Sequence, residues 1–139
     1  EDGIRDSVAS RGLGDVYKRQ QKYRSITPTP SLIPDPLLVD YADLFKGEGL
    51  ALDLAAGTCH TSVQLARLGR QVIALDCSLT ALQIGQRIAA REGVGIKGLV
   101  ADLDHLRLPK STFEVITCFR YLNRELFPAI GNALKPGGL

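Results

Sequence analysis

The stretch ALDLAAGTCHTS, residues 51–62, contains an apolar run, one carboxylate at Asp53, a glycine at Gly57 and a cysteine at Cys59. The apolar run predicts a buried strand over residues 50–54. Gly57 stands where the chain must turn sharply from that strand into a helix. The stretch is therefore either an ordinary strand-to-helix turn or a cradle for a bound cofactor.

Two features of this turn favour a ligand. Ala55 and Ala56 add little bulk, so a ligand can approach the backbone closely. The helix that follows presents unpaired N–H groups suited to a carboxylate or phosphate, and we expect Thr58 or Thr61 to cap it.

Strands and helices alternate along the chain. The predicted strands cover residues 50–54, 71–75, 96–101 and 113–119, and the predicted helices cover 37–45, 58–68, 78–91 and 124–134. Most of the strands are continuous apolar runs, which is typical of a parallel sheet covered on both faces. With right-handed crossovers, the pattern predicts an α/β fold with a doubly wound parallel sheet.

Acidic residues follow successive strands of this predicted sheet. Asp76 ends the second strand, about 20 residues after Gly57, where an acid can accept hydrogen bonds from both hydroxyls of a ribose. The alternative is that Asp76 is a second helix cap beside Ser78. Asp102 ends the third strand and could accept from the amino group of a purine, with the Leu103 N–H offered to the ring. Together the acids indicate a site for one adenosine-bearing ligand at the carboxyl edge of the sheet.

Composition excludes several classes of protein. With 139 residues, 45% hydrophobic and 23% charged, the chain has the composition of a globular protein of about one domain. A net charge of +2 predicts no nucleic-acid or membrane partner, and without an apolar signal segment we expect a cytoplasmic location. Cys59, Cys77 and Cys118 lack the spacing of a disulfide framework or a metal site.

The first twenty residues differ in character from the rest. SRGLGDVYKRQ, residues 10–20, resembles the in-frame translation of a sequencing-library adapter. We therefore expect residues 1–20 to be a non-native, disordered segment, and residues 21–139 to be a partial domain.

Five segments in register resemble the class I S-adenosylmethionine-dependent methyltransferases, over roughly residues 30–139. They are LDLAAGTCHTS, VIALDCS, VADLDHLRLP, FEVITCF and the terminal LKPGG. The last twenty residues are similar to a branch of small-molecule enzymes that includes the methyltransferase-domain, tellurite-resistance and thiopurine types. The resemblance implies a Rossmann-like fold, S-adenosylmethionine as cofactor and a small-molecule methyl acceptor.

The resemblance also implies roles for particular positions. Asp53 and Gly57 would border the methionine moiety, and Asp76 would hold the ribose. The others named by the resemblance are Asp102 and Leu103 at the adenine, Cys77 flanking it, and Phe119 and Arg120 facing the methionine or the acceptor.

This chain departs from the family pattern in two places. The family reads acid-x-Gly-x-Gly-x-Gly, whereas the glycine positions here are Ala55, Gly57 and Cys59. We expect alanine to be harmless, and Cys59 to place a side chain where the loop meets the cofactor, weakening binding if that position needs a positive φ. The second departure is that the sheet is truncated after its fourth strand, which would leave that strand as an exposed apolar edge.

Three functions remain open from the sequence. The first is methyl transfer, with this chain as the cofactor-binding half and no dedicated base required, so neither His60 nor His105 is assigned one. The second is a nicotinamide-dependent oxidoreductase, which would share Asp76 but normally carries G-x-G-x-x-G after the first strand. The third is a non-catalytic binding module built on the cofactor fold.

Overall fold

A computed structural model of the chain describes residues 17–18, 28–119 and 121–139. The prediction of disorder over residues 1–20 lies outside the described residues except at two positions, and it stays a prediction. Arg120 also lies outside them.

The described residues form a four-stranded, wholly parallel sheet with the strand order β3-β2-β1-β4. The strands are β1 Leu50–Leu54, β2 Gln71–Asp76, β3 Lys97–Val100 and β4 Val115–Thr117. The helices are α1 Pro36–Asp40, α2 Ala42–Phe45, α3 His60–Arg67, α4 Leu79–Arg91 and α5 Phe127–Ala133, with 3-10 turns at Leu103–His105 and Arg124–Leu126. The predicted α/β fold with a parallel sheet is confirmed.

Successive strand residues point to opposite sides of the sheet, and helices cover both faces at the central strands β1 and β2. The expectation of burial on both faces is wrong for β3, whose four residues are all exposed. On one face, the core joins α1 to α4 with the sheet through Leu38, Phe45, Ala51, Val63, Val72, Ala74, Leu82 and Ile88. On the other face, it contains Leu52, Leu54, Leu75, Leu103, Leu126 and Ala133. Within the described part of the chain, none of the helices has the length and apolar character needed to cross a bilayer.

Two predicted helices differ from the structure. The first is broken at Tyr41 into α1 and α2, and of its expected apolar stripe only Leu38 and Phe45 are buried. The last helix begins at Phe127 because Pro128, which has no N–H to donate, favours the first turn of a helix. The residues before it form a separate 3-10 turn.

The fourth strand is shorter than predicted, and its outer edge is partly covered. Leu139 donates its N–H to the Glu114 carbonyl at 2.9 Å and accepts from the Ile116 N–H at 2.9 Å. Lys135 donates to the Phe113 carbonyl at 2.8 Å, and Val115 is 1% exposed. The expectation of an exposed edge is therefore wrong over these residues, where the backbone of residues 135–139 takes the place of a neighbouring strand.

A single arginine joins the amino end of the sheet to the helices. Arg70 donates through Nε to the Phe45 carbonyl at 2.7 Å and through Nη2 to the Lys46 carbonyl at 3.0 Å. Its Nη1 forms an ion pair with Glu114, and the side chain is 8% exposed. One guanidinium thus connects the end of α2, the start of β2 and the residue before β4.

Replacing Arg70 with alanine should lower the free energy of unfolding by about 2–4 kcal/mol, because it leaves two carbonyls and a carboxylate without a donor. Urea unfolding followed by circular dichroism measures this. Arg67→Ala is the matched control, since its ion pair with Glu92 is solvent-exposed and should change stability by less than about 1 kcal/mol. Equal losses in the two variants would contradict the assignment.

Candidate functional site

The carboxyl ends of the strands lie together at one edge of the sheet. Parallel register pairs Asp53 with Thr117 and Asp76 with Val100. The Ala101 N–H donates to the Asp76 carbonyl at 3.0 Å, which places Asp102 directly beyond it. The structure therefore brings Asp53, Asp76 and Asp102 to the same edge, as the sequence predicts.

The loop between β1 and α3 has an unusual backbone. Ala55, Gly57 and Cys59 all lie in the left-handed region, with φ of 54°, 57° and 69°. This conformation suits glycine but costs a residue with a side chain about 1–2 kcal/mol. The expectation that alanine is harmless at position 55 therefore needs correction, because Ala55 holds a conformation that glycine adopts without strain.

Asp76 holds this loop in place. Its Oδ1 accepts from the Gly57 N–H at 3.2 Å and its Oδ2 accepts from the Ser78 N–H at 3.0 Å. Ser78 is the N-cap of α4, as predicted, and accepts from the Ala81 N–H at 3.1 Å. A carboxylate offers about four lone-pair positions, and these two bonds use two of them. Asp76 is 3% exposed, so the loop and the strand ends cover most of the carboxylate.

The Cys59 side chain is buried between the loop and α4. It is 0% exposed and lies against Gly85 of α4, where an added Cβ would be 2.6 Å from the Cys59 Cβ. Burial, with smaller contributions from Asp53 and Asp76, raises the pKa of its thiol to about 12, so the thiol stays protonated. The positive φ considered at Cys59 is confirmed. Its side chain is buried, and the expected effect on cofactor binding stays a prediction.

The predicted cap of α3 is also wrong. The N-cap position is Cys59, which makes no side-chain hydrogen bond to the helix, and neither Thr58 nor Thr61 takes that position. The first turn is instead held from the sheet side by Asp53, to which Ser62 donates through its backbone N–H as well as its hydroxyl.

Asp53 lies at the centre of a buried polar network. It is 2% exposed and accepts from the Ser62 hydroxyl at 2.6 Å and from the Thr117 hydroxyl at 3.0 Å. Burial raises the pKa of this carboxyl to about 6, although both hydroxyls and the Ser62 N–H act to lower it. The sequence analysis did not identify Ser62 or Thr117. Thr117 could have been found as a polar residue within the apolar strand FEVITCF.

Asp102 lies at the exposed rim and has a partner that the sequence did not predict. Its Oδ2 lies 2.9 Å from His105 Nδ1, and its Oδ1 accepts from the Asp104 N–H at 2.9 Å. The His105 hydrogen bond lowers the pKa of Asp102, and the same bond raises the pKa of His105. Leu103, beside them, is buried against the core.

The remaining candidates flank this edge. Cys77 follows Asp76 and is half-buried, and Phe119 is half-buried against the core that contains Cys59. The three cysteines, all inside the described residues, form no disulfide bond. In the same part of the chain, no group of three or more His, Cys, Asp or Glu side chains is placed to hold a metal ion.

Comparison with known proteins identifies a family match over most of the chain. The family described as "Methyltransferase domain" matches residues 51–138, which include the loop, Asp76 and Asp102. A demethylmenaquinone methyltransferase of Thermobifida fusca is 38% identical over 76 residues, covering 54% of this chain and 32% of that protein. The chain spans less than half the length of the curated relatives it matches.

Solved structures share the same fold. An S-adenosylmethionine-dependent methyltransferase from Mesorhizobium loti is similar with a TM-score of 0.54 and 28% identity, over 71% of this chain and 50% of that one. A structure determined for the conversion of a disulfide bond into a thioacetal group during echinomycin biosynthesis is similar with a TM-score of 0.71. It is 26% identical and covers 89% of this chain and 57% of that chain.

The raised pKa of Asp53 predicts a stability that depends on pH. Because the folded carboxyl binds its proton more tightly than the unfolded one, its contribution is greatest below the unfolded pKa of 3.8 and is lost as pH rises through about 6. The unfolding free energy of the wild type minus that of Asp53→Asn should therefore fall by roughly 2 kcal/mol between about pH 4 and about pH 7. Urea titrations across this range measure it, and a constant difference would contradict it.

The contact between Cys59 and Gly85 predicts that the cost of a side chain at position 85 depends on the residue at position 59. Gly85→Ala should destabilise the wild type by about 1–3 kcal/mol through overpacking. In a Cys59→Gly background the two closest contacts are removed and the Thr58 carbonyl, 3.1 Å from the added Cβ, remains, so the same change should cost clearly less than in the wild type. Thermal and urea unfolding of the four proteins measures the coupling.

Gly131→Ala is the control for helix propensity, since Gly131 lies in α5 with nothing within 4 Å of an added Cβ. It should behave the same in both backgrounds. If Gly85→Ala also had the same effect in both, Cys59 would not be the residue that excludes a side chain at position 85.

Proposed function

The chain belongs to the methyltransferase-domain family, and from that premise we propose that it binds S-adenosylmethionine for methyl transfer to a small-molecule acceptor. The observation that carries the proposal is the hydrogen bond from the Gly57 N–H to Asp76. It holds a loop of small residues beside a carboxylate at the carboxyl edge of a parallel sheet.

The donors and acceptors at this edge suit the proposed cofactor. Two of the about four lone-pair positions of Asp76 are not used by Gly57 and Ser78, a number that matches the two hydroxyls of a ribose. Asp102 lies at the rim and can accept from the amino group of an adenine, with the Leu103 backbone beside it. These assignments, and those of Gly57, Ala55 and Cys77 to the border of the cofactor, are proposals supported by the family match and the shared edge.

When bound, S-adenosylmethionine supplies a methyl group that is already activated. The residues of this chain then need to orient the cofactor and exclude water, without a dedicated acid or base. Phe119, half-buried beyond β4, would shield the reacting end, and Arg120 would face the methionine or the acceptor.

The acceptor is proposed to be a small organic molecule. Two observations support this: the Thermobifida fusca relative is a demethylmenaquinone methyltransferase, and the carboxyl-terminal segment resembles the tellurite-resistance and thiopurine-type branch. A cytoplasmic location stays a prediction.

We also propose that residues 21–139 are the cofactor-binding part of a longer domain. The relatives are more than twice as long as the region they share with this chain. In addition, Leu139 pairs with β4 in the way that a further parallel strand would.

The proposal predicts that the 139-residue chain binds S-adenosylmethionine in isothermal titration calorimetry, and that Asp76→Ala weakens binding at least about tenfold. Asp40→Ala, in the exposed part of α1, is the matched control and should bind as the wild type does. Circular dichroism confirms that each variant is folded.

Titration of the wild type with NAD separates the alternatives. Binding of NAD without binding of S-adenosylmethionine would overturn the proposal and favour a nicotinamide-dependent oxidoreductase. Binding of neither ligand would overturn it and favour a non-catalytic binding module.

A further inference from the structure

Side chains of α3 hold the segment before α1 by its backbone. The Ile33 N–H donates to His60 Nδ1 at 3.0 Å, and the Asp35 N–H donates to Gln64 Oε1 at 2.7 Å. Gln64 also donates through Nε2 to the Asp35 carbonyl at 3.4 Å. Residues 29–35 lie in neither a helix nor a strand, so these bonds take the place of regular backbone pairing. We call residues 29–35 the strap.

The other end of the strap is held from α4. Arg91, the last residue of that helix, donates to the Pro30 carbonyl at 3.3 Å and to the Thr29 carbonyl at 3.2 Å. Between the two ends, Leu32 is half-buried and packs against the core that contains Cys59. The strap is therefore held at both ends by hydrogen bonds and in the middle by an apolar contact.

The spacing of the two α3 side chains matches that of an extended chain. His60 and Gln64 are four residues apart on one face of the helix, which is a rise of about 6 Å. The N–H groups of Ile33 and Asp35, two residues apart, lie about 6.6 Å apart in an extended backbone and point to the same side. Pro34, between them, has no N–H that would need a partner. The match indicates that the strap docks on α3 as a unit.

The His60 anchor lies next to the loop that would border the cofactor. His60 is the first residue of α3 and follows Cys59, the last loop residue with a positive φ. Gly57, two positions before Cys59, is bonded to Asp76. The strap and the loop therefore meet at one helix terminus. A ligand that orders the loop also restricts the residue to which the strap is bonded.

We propose that docking of the strap on α3 is coupled to cofactor binding at the loop, with His60 as the positioning residue that joins the two. The inference rests on the proposed function and adds a conformational step to it: the strap docks more firmly when S-adenosylmethionine is bound. A helix terminus already ordered by one event costs less entropy to order for the other, so each event favours the other. By linkage, the two effects are equal in size.

The first experiment measures amide hydrogen exchange by NMR in the 139-residue chain, with and without saturating S-adenosylmethionine. Exchange at Ile33 and Asp35 reports opening of the strap, and the cofactor should slow both rates at least about fivefold. The Gly138 amide, bonded to the Lys135 carbonyl beside the amino end of β4, is the control and should not change. Equal slowing at all of these amides would indicate general stabilisation and contradict the coupling.

Variants of His60 test its positioning role. His60→Ala removes the acceptor, so exchange at Ile33 should become at least about fivefold faster, and S-adenosylmethionine should bind at least about threefold more weakly in calorimetry. His60→Asn carries an oxygen acceptor close to the position of Nδ1 and should restore both values. Arg67→Ala, at the other end of α3, is the control. Failure of His60→Asn to restore them would overturn the role assigned to the Nδ1 acceptor.

A double variant opens the strap without changing α3 or the loop. Leu32→Ala/Arg91→Ala removes the apolar contact and both carbonyl bonds, whereas the matched Leu44→Ala/Arg87→Ala changes the same residue types at exposed positions of α2 and α4. The first should exchange faster throughout the strap and bind S-adenosylmethionine at least about threefold more weakly, and the second should match the wild type. Circular dichroism confirms that each variant is folded. A strap that exchanges as fast as an unstructured peptide, in a variant with wild-type affinity, would overturn the coupling.

The outcomes separate this inference from the proposed function. If the chain binds S-adenosylmethionine and the strap exchanges at the same rate with and without it, only the coupling is wrong. If the chain does not bind S-adenosylmethionine, the proposed function is wrong and the coupling is wrong with it.

Discussion

The hydrogen bond from the Gly57 N–H to Asp76 is the interaction on which the site depends. It connects the loop after β1 to the end of β2, so the two strands that meet at the centre of the edge cannot separate without breaking it. The same carboxylate holds the Ser78 N–H, and Ser78 caps α4. One side chain therefore sets the path of the loop, the start of a helix and the position of a candidate ligand group.

Much of the architecture could be predicted because local patterns and tertiary structure agree. The apolar strands 50–54 and 71–75 need burial on both faces, and a parallel sheet supplies it. Ser78 is a strong N-cap in any context, and the structure uses it as one. Asp76 could be placed at the edge from its position after a strand alone.

The features that could not be predicted from the sequence depend on packing between segments that are distant in sequence. Nothing local to Cys59 indicates that Gly85 leaves space for its side chain, and so the burial of that side chain against α4 could not be predicted. The partners of Asp53 come from α3 and β4, which only the strand register brings together. The first helix was predicted as a single helix because the spacing of its apolar residues indicates helical periodicity. That spacing does not show the non-helical backbone conformation at Tyr41, which divides the segment into α1 and α2.

The contact between Cys59 and Gly85 also limits which sequences are compatible with this loop. A side chain at position 85 conflicts with the cysteine at position 59, because an added Cβ at 85 would lie 2.6 Å from the Cys59 Cβ. The Thr58 carbonyl, 3.1 Å from the same point, limits position 85 further. The loop thus keeps a glycine-type backbone while its sequence moves away from the usual signature, and searches that require three glycines would overlook such chains.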